Sequence, residues 1–229
     1  MTMQSNEHQK EVEQINGLNE QGILPMFYHP EEEICINVVR ALAEGGMKYI
    51  EFTNRGENAL ENFKKLVSWK EKGKINIHLC AGTIKTPEQA HRFIEAGAEI
   101  LISPVFDSGV ADVAYMEKVL WIPGCMTPTE IHLADSAGCN LVKLFPGELL
   151  KPPFIKAVRP LFPGTGFIVT GGVELTVSNL REWFAAGAIA LGMGSKLITA
   201  EILQSKGYGQ IRELTAGLVK AIQDIRNNP

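Results

Sequence analysis

Asn140-Leu141-Val142-Lys143-Leu144-Phe145-Pro146-Gly147-Glu148 sets one lysine in the middle of an apolar run that closes on Pro-Gly. A short apolar run ended by turn residues suits a parallel strand covered on both faces, which reads as a near-continuous hydrophobic string. Lys143 breaks the string. Taking an ammonium out of water is costly. Such a group finds a carboxylate partner, keeps its head in solvent on a buried stem, or loses charge as burial lowers its pKa. A neutral lysine amine is a nucleophile toward ketones. On this stretch alone, a structural ion pair and a catalytic amine both stand.

Outward from this strand the same pattern repeats. Strand starts fall near Ile23, Lys48, Ile75, Glu99, Trp121, Asn140, Gly166 and Ala188, at steps of 19 to 27 residues. Amphipathic helical stretches lie between them, and no hairpin signal does. Eight strand–helix units joined by crossovers predict a (β/α)8 TIM barrel, an α/β fold that commonly fills a chain of this size as one domain. The helix Pro30 to Glu44 carries Ile34, Val38 and Leu42 on one face and meets Gly45-Gly46. Thr86-Pro87-Glu88 and Thr127-Pro128-Thr129-Glu130 are helix starts, each with a threonine cap before proline and an acidic first turn. Glycine precedes a strand in Glu95-Ala96-Gly97-Ala98 and Ala185-Ala186-Gly187-Ala188, as a helix-to-strand turn requires. Residues 1–21 read as an N-terminal helical extension, with Val12, Ile15 and Leu18 expected across the bottom of a single domain spanning 1–229. A final helix, Ile211 to Ile225, turns Leu214, Leu218, Ala221, Ile222 and Ile225 toward the barrel exterior.

With 22 basic and 26 acidic side chains, the net charge of −4 and the lack of a lysine/arginine block argue against a nucleic-acid surface. Cys35, Cys80, Cys125 and Cys139 have neither CxxC nor metal-ligand spacing and read as reduced core thiols. No metal or cofactor is expected. No stretch approaches the apolar length of a membrane span, so the chain reads as cytoplasmic.

Barrel chemistry lies at the C-terminal ends of the strands. The second strand ends Glu51-Phe52-Thr53-Asn54-Arg55, and alternation puts Glu51, Thr53 and Arg55 on one side, either as an ion pair closing the mouth or as a site. The third ends in small residues, Cys80-Ala81-Gly82-Thr83, which leave space over the barrel centre. Pro104 and Phe106 follow the fourth and either wall a pocket or shape a turn. The last two strands end Thr170-Gly171-Gly172-Val173 and Gly192-Met193-Gly194-Ser195. Paired glycine turns at these two positions are where barrels bind phosphate through backbone amides. Among the histidines, His29 alone follows a strand end at the mouth.

These motifs, with Ile122-Pro123-Gly124 and Lys143-Leu144-Phe145-Pro146, follow one another as in the 2-keto-3-deoxy-6-phosphogluconate (KDPG) and 4-hydroxy-2-oxoglutarate (KHG) aldolase family, which the chain resembles over essentially the whole barrel. The resemblance implies a class I aldolase without metal or cofactor. Lys143 is then the Schiff-base lysine and Glu51 the proton-shuttling carboxylate. Arg55 and Thr83 hold the substrate carboxylate, Pro104 and Phe145 line the pyruvyl half, and Thr170, Gly171, Gly172, Gly194 and Ser195 bind phosphate. It also implies a small keto acid or phosphosugar acid as substrate and a homotrimer as the assembly. Three mouth positions depart from the family pattern. Tyr28 stands where many members carry arginine, Gly56 replaces a common hydroxyl residue, and Gly147 replaces a common alanine. A barrel isomerase or epimerase using Glu51 without an imine, and a silent phosphate-ligand binding module, are the competing readings.

Overall fold

The computed structural model describes residues 3–228. In chain order its strands are β1 (Ile23–Phe27), β2 (Tyr49–Thr53), β3 (His78–Gly82), β4 (Ile100–Ile102), β5 (Leu120–Ile122), β6 (Gly124–Cys125), β7 (Leu141–Leu144), β8 (Gly166–Thr170) and β9 (Ala190–Met193). All pairs are parallel, in the order β5-β4-β3-β2-β1-β9-β8-β7-β6. β5 and β6 are one strand interrupted by Pro123, which has no N–H to give to a ladder. Its carbonyl still accepts from Lys143 N at 2.8 Å. β5 pairs with β4 and β6 with β7, so this strand joins the two sheet edges and closes an eight-position barrel.

The helices are α1 (Met3–Gln21), α2 (Glu32–Glu44), α3 (Ala59–Lys72), α4 (Pro87–Glu95), α5 (Ser108–Glu117), α6 (Pro128–Ser136), α7 (Gly147–Val158), α8 (Val177–Ala186), α9 (Ala200–Gln204) and α10 (Tyr208–Asn227). Thr86 caps α4 by accepting from Gln89 N, and Thr127 opens α6 in a reciprocal capping box with Glu130. Observed strand starts lie within three residues of those expected, and α2 begins at Glu32 rather than Pro30.

Strand alternation divides the buried side chains into two groups. Outward residues such as Ile50, Phe52, Leu79, Val142 and Val169 pack under the helices. Inward residues Leu24, Cys80, Ile100, Ile102, Ile122, Leu141, Ile168 and Ala190 fill the barrel, and Leu18 of α1 joins them from below. Of the α1 residues expected at that floor, Leu18 is 1% exposed while Val12 stays 40% exposed and outside the packing. Gln21 ties α1 down, its Oε1 accepting from Lys48 N and Tyr49 N and its Nε2 donating to the carbonyls of Ile23 and Tyr49. Nearby, Glu99 takes hydrogen bonds from His78 and Lys70. Burial lifts its carboxyl, but these two partners outweigh that and hold it down to about 2.

On α10 the expected inward face is corrected at one position. Leu214 is 38% exposed, and Thr215 is buried instead. The cause lies on the facing helix end: Gly45 has no side chain, and a Cβ there would stand 2.7 Å from Thr215 Cγ2. The backbones meet so closely that a small residue faces the contact and the leucine turns away.

Candidate active site

The upper interior layer of the barrel is polar. Glu51 on β2 and Lys143 on β7 both point inward, with side chains 1% and 6% exposed, and Lys143 Nζ lies 3.7 Å from Glu51 Oε1. That separation makes an ion pair without a hydrogen bond, and neither Glu51 oxygen has a hydrogen-bond partner. Burial therefore lifts the Glu51 carboxyl above its ordinary value, and the charges of Lys143 and Arg55 pull it only part of the way back. A carboxyl lifted in this way and set beside an amine is suited to accepting a proton and returning it.

The room for this carboxylate comes from Gly82. A Cβ at Gly82 would stand 2.6 Å from Glu51 Cδ, so the glycine ending β3 leaves the space that the acid occupies. Lys143 Nζ also sits 5.5 Å from the Phe145 ring centroid, and Phe145 joins Pro146 through a cis peptide bond. Pro104 reaches the same side of the mouth. Its backbone presses on Gly124, the ladder partner of Lys143, where a Cβ would come 2.7 Å from Val105 N.

A second region opens at the ends of β1, β2, β8 and β9. Its cavity of about 370 Å³ is lined by Met26, Tyr28, Thr53, Arg55, Thr170, Gly171, Gly172, Gly194, Ser195 and Lys196, among others. All five residues expected at the phosphate are brought together here. Gly171 and Gly172 adopt φ of +97° and +68°, a left-handed conformation that glycine tolerates best. Asn179 braces their turn, accepting from Glu174 N and donating to Gly172 O. Gly147 is buried beneath it, where a methyl would stand 2.6 Å from Val169 Cγ1. The departure from alanine thus lies where α7 starts tight against β8.

Arg55 is exposed beyond the end of β2 and forms no ion pair with Glu51; its side chain lines the cavity beside the glycine turns. Thr83 follows β3 with φ +62°, outside that lining. Thr53 donates to Phe27 O, tying β2 to β1. The His29 ring accepts from Glu31 N in the turn before α2 and is absent from the cavity lining. Sequence reasoning missed the seat that Gly82 provides, the contact between Tyr28 and Gly56, and Lys196, which pairs with Glu174 at 3.0 Å. The early signals were the small residues after Cys80 and the departures at Tyr28 and Gly56.

A closed parallel barrel with a buried lysine–carboxylate pair above its core, and glycine turns after its last two strands, defines the lysine-bearing barrel aldolases. The chain belongs to the KDPG and KHG aldolase family, whose model matches residues 14–214. It is 30% identical over 194 residues to the 2-dehydro-3-deoxy-phosphogluconate aldolase of Treponema pallidum, covering 84% of this chain and 90% of that one. Against the 2-dehydro-3-deoxy-6-phosphogalactonate aldolase of Escherichia coli it is 32% identical over 145 residues, covering 63% and 68%. Among solved structures, a KDPG aldolase from Legionella pneumophila, with pyruvate captured as a covalent carbinolamine, superposes with TM-score 0.79 at 25% identity. It covers 88% of this chain and 97% of that one. No helix among the described residues is long and apolar enough to cross a membrane.

Proposed function

We propose that this chain is a class I aldolase that cleaves a 2-keto-3-deoxy-6-phospho sugar acid to pyruvate and glyceraldehyde 3-phosphate, and also 4-hydroxy-2-oxoglutarate to pyruvate and glyoxylate. The observation that carries the reading is the Lys143 amine, buried and 3.7 Å from a carboxylate that has no hydrogen-bond partner. Lys143 Nζ attacks the C2 ketone, the carbinolamine loses water, and the iminium becomes an electron sink. Glu51 takes the C4 hydroxyl proton, the C3–C4 bond breaks, and its electron pair enters the iminium to give an enamine and a free aldehyde. The protonated Glu51 returns its proton to C3, and water releases pyruvate from Lys143. No step calls on a metal.

Arg55 and Thr83 are assigned to the substrate carboxylate, with Pro104 and Phe145 against the pyruvyl half. The amides of Gly171, Gly172 and Gly194 and the hydroxyls of Thr170 and Ser195 are assigned to the phosphate, supported by their shared cavity. From the family resemblance we infer a homotrimer, and the exposed Tyr115 and Met116 offer apolar surface for another copy to cover. Light scattering at three chain masses checks the assembly.

Borohydride reduction in the presence of pyruvate, followed by intact-mass measurement, tests the chemistry. A pyruvate-sized gain mapped to Lys143, and lost in Lys143→Ala, is expected. A folded wild-type enzyme that takes up no pyruvate overturns the reading in favour of a barrel enzyme that makes no imine.

A further inference from the structure

Tyr28 and Gly56 follow different strands, β1 and β2, yet each accounts for the other. A Cβ on Gly56 would stand 2.7 Å from Tyr28 Cε1 and overlap the rest of that edge of the ring, including its hydroxyl. The backbone at Gly56 is outside the left-handed region, so the ring alone excludes a side chain there. The ring also packs on the buried Phe52, with centroids 5.8 Å apart, so a side chain at residue 56 would push it off that contact.

The Tyr28 side chain also lines the cavity that holds the two glycine turns. Its hydroxyl makes no hydrogen bond to another described residue, although a half-buried phenol ordinarily finds a partner. Lys196, in the same lining, already has its charge matched by Glu174 at 3.0 Å. The wall formed by Met26 and Tyr28 therefore presents an apolar face and one hydroxyl that no described residue uses.

We propose that the Tyr28–Gly56 pair determines which aldehyde the enzyme accepts, favouring a short hydroxyaldehyde with one anionic end. The ring limits the length of the aldehyde half, and the phenol hydrogen-bonds a hydroxyl carried on it. This rests on the aldolase reading above and adds the selectivity of its second substrate. Gly56 contributes by leaving the ring its place.

The experiment follows condensation of pyruvate with two aldehydes. Glyceraldehyde 3-phosphate carries a hydroxyl beyond its carbonyl, and glyoxylate does not. Borohydride trapping of pyruvate, which needs no aldehyde, runs in parallel with a thermal melt of each variant. Tyr28→Phe is expected to lower kcat/KM for glyceraldehyde 3-phosphate about tenfold through KM, the scale of one lost hydrogen bond. Its glyoxylate reaction and pyruvate trapping stay within about twofold of wild type, a difference too small to represent a lost hydrogen bond. Gly56→Ala is expected to cost more with glyceraldehyde 3-phosphate, because it displaces the ring, and adding Tyr28→Ala removes the excess loss. Normal trapping with equal losses for the two aldehydes overturns the selectivity. So does a double variant no better than Gly56→Ala. If Gly56→Ala fails to fold, the Tyr28→Phe comparison still decides. Absence of wild-type trapping instead overturns the underlying aldolase reading, and the proposal with it.

Discussion

Glu51 owes its usefulness to its isolation. Both of its oxygens lack hydrogen-bond partners, and burial raises its pKa despite Lys143 and Arg55 nearby. The sign of the pH effect follows. A base works in its ionised form, so kcat/KM for cleavage should climb as pH rises through the raised Glu51 pKa, on a limb displaced above the ordinary carboxylate range. Glu51→Gln keeps the size of the side chain, and it should remove that limb and about 10²- to 10⁴-fold of the rate. A pH–rate profile of both proteins checks this, and an unchanged limb in Glu51→Gln would assign the proton to another group. Lys143 stood out in the sequence because a charge inside an apolar strand is anomalous wherever it occurs, and Glu51 because alternation sets it with Thr53 and Arg55 on one side of a strand end. Gly82 and the Tyr28–Gly56 contact were less legible, since the space a missing Cβ leaves exists only once two strands stand side by side.

Strand starts and helix caps belong to a scale where local pattern is informative. Apolar runs, threonine caps and pre-strand glycines each act within a few residues, which is why the eight positions of the barrel could be read from them. The facing of α10 depended on something more distant. Helical spacing nominated Leu214, but the close approach of Gly45 admits only Thr215, whose hydroxyl is buried without a partner. A buried hydroxyl left unsatisfied costs about 1–3 kcal/mol, and valine has nearly the same shape without it. Thr215→Val should therefore stabilise the protein by about 1 kcal/mol, with Tm rising about 2–4 °C for a chain of this size. Calorimetry decides the point; a lower Tm would mean that the hydroxyl has a partner, such as a buried water.

Across the whole molecule the barrel separates what holds it together from what it does. Its lower interior is apolar and closed from below by Leu18 of α1, which packs with Leu24, Ile100, Ile168 and Ala190. Its upper interior carries Glu51 and Lys143, and the cavity lies higher still, at the strand ends. Truncating the plug should thus affect stability without touching the chemistry. Leu18 is 1% exposed, and a leucine-to-alanine change at such a site costs about 2–5 kcal/mol, because the cavity it leaves is only partly refilled. Leu18→Ala should lower the urea midpoint accordingly while kcat/KM at 25 °C stays within about twofold of wild type, the activity depending on residues in another layer. The side chains between the two layers interlock at close to crystalline density, so a collapsing floor has a route to the mouth. If kcat/KM falls tenfold or more in the folded variant, the floor and the Lys143–Glu51 layer are mechanically coupled, and α1 positions the catalytic pair as well as sealing the barrel.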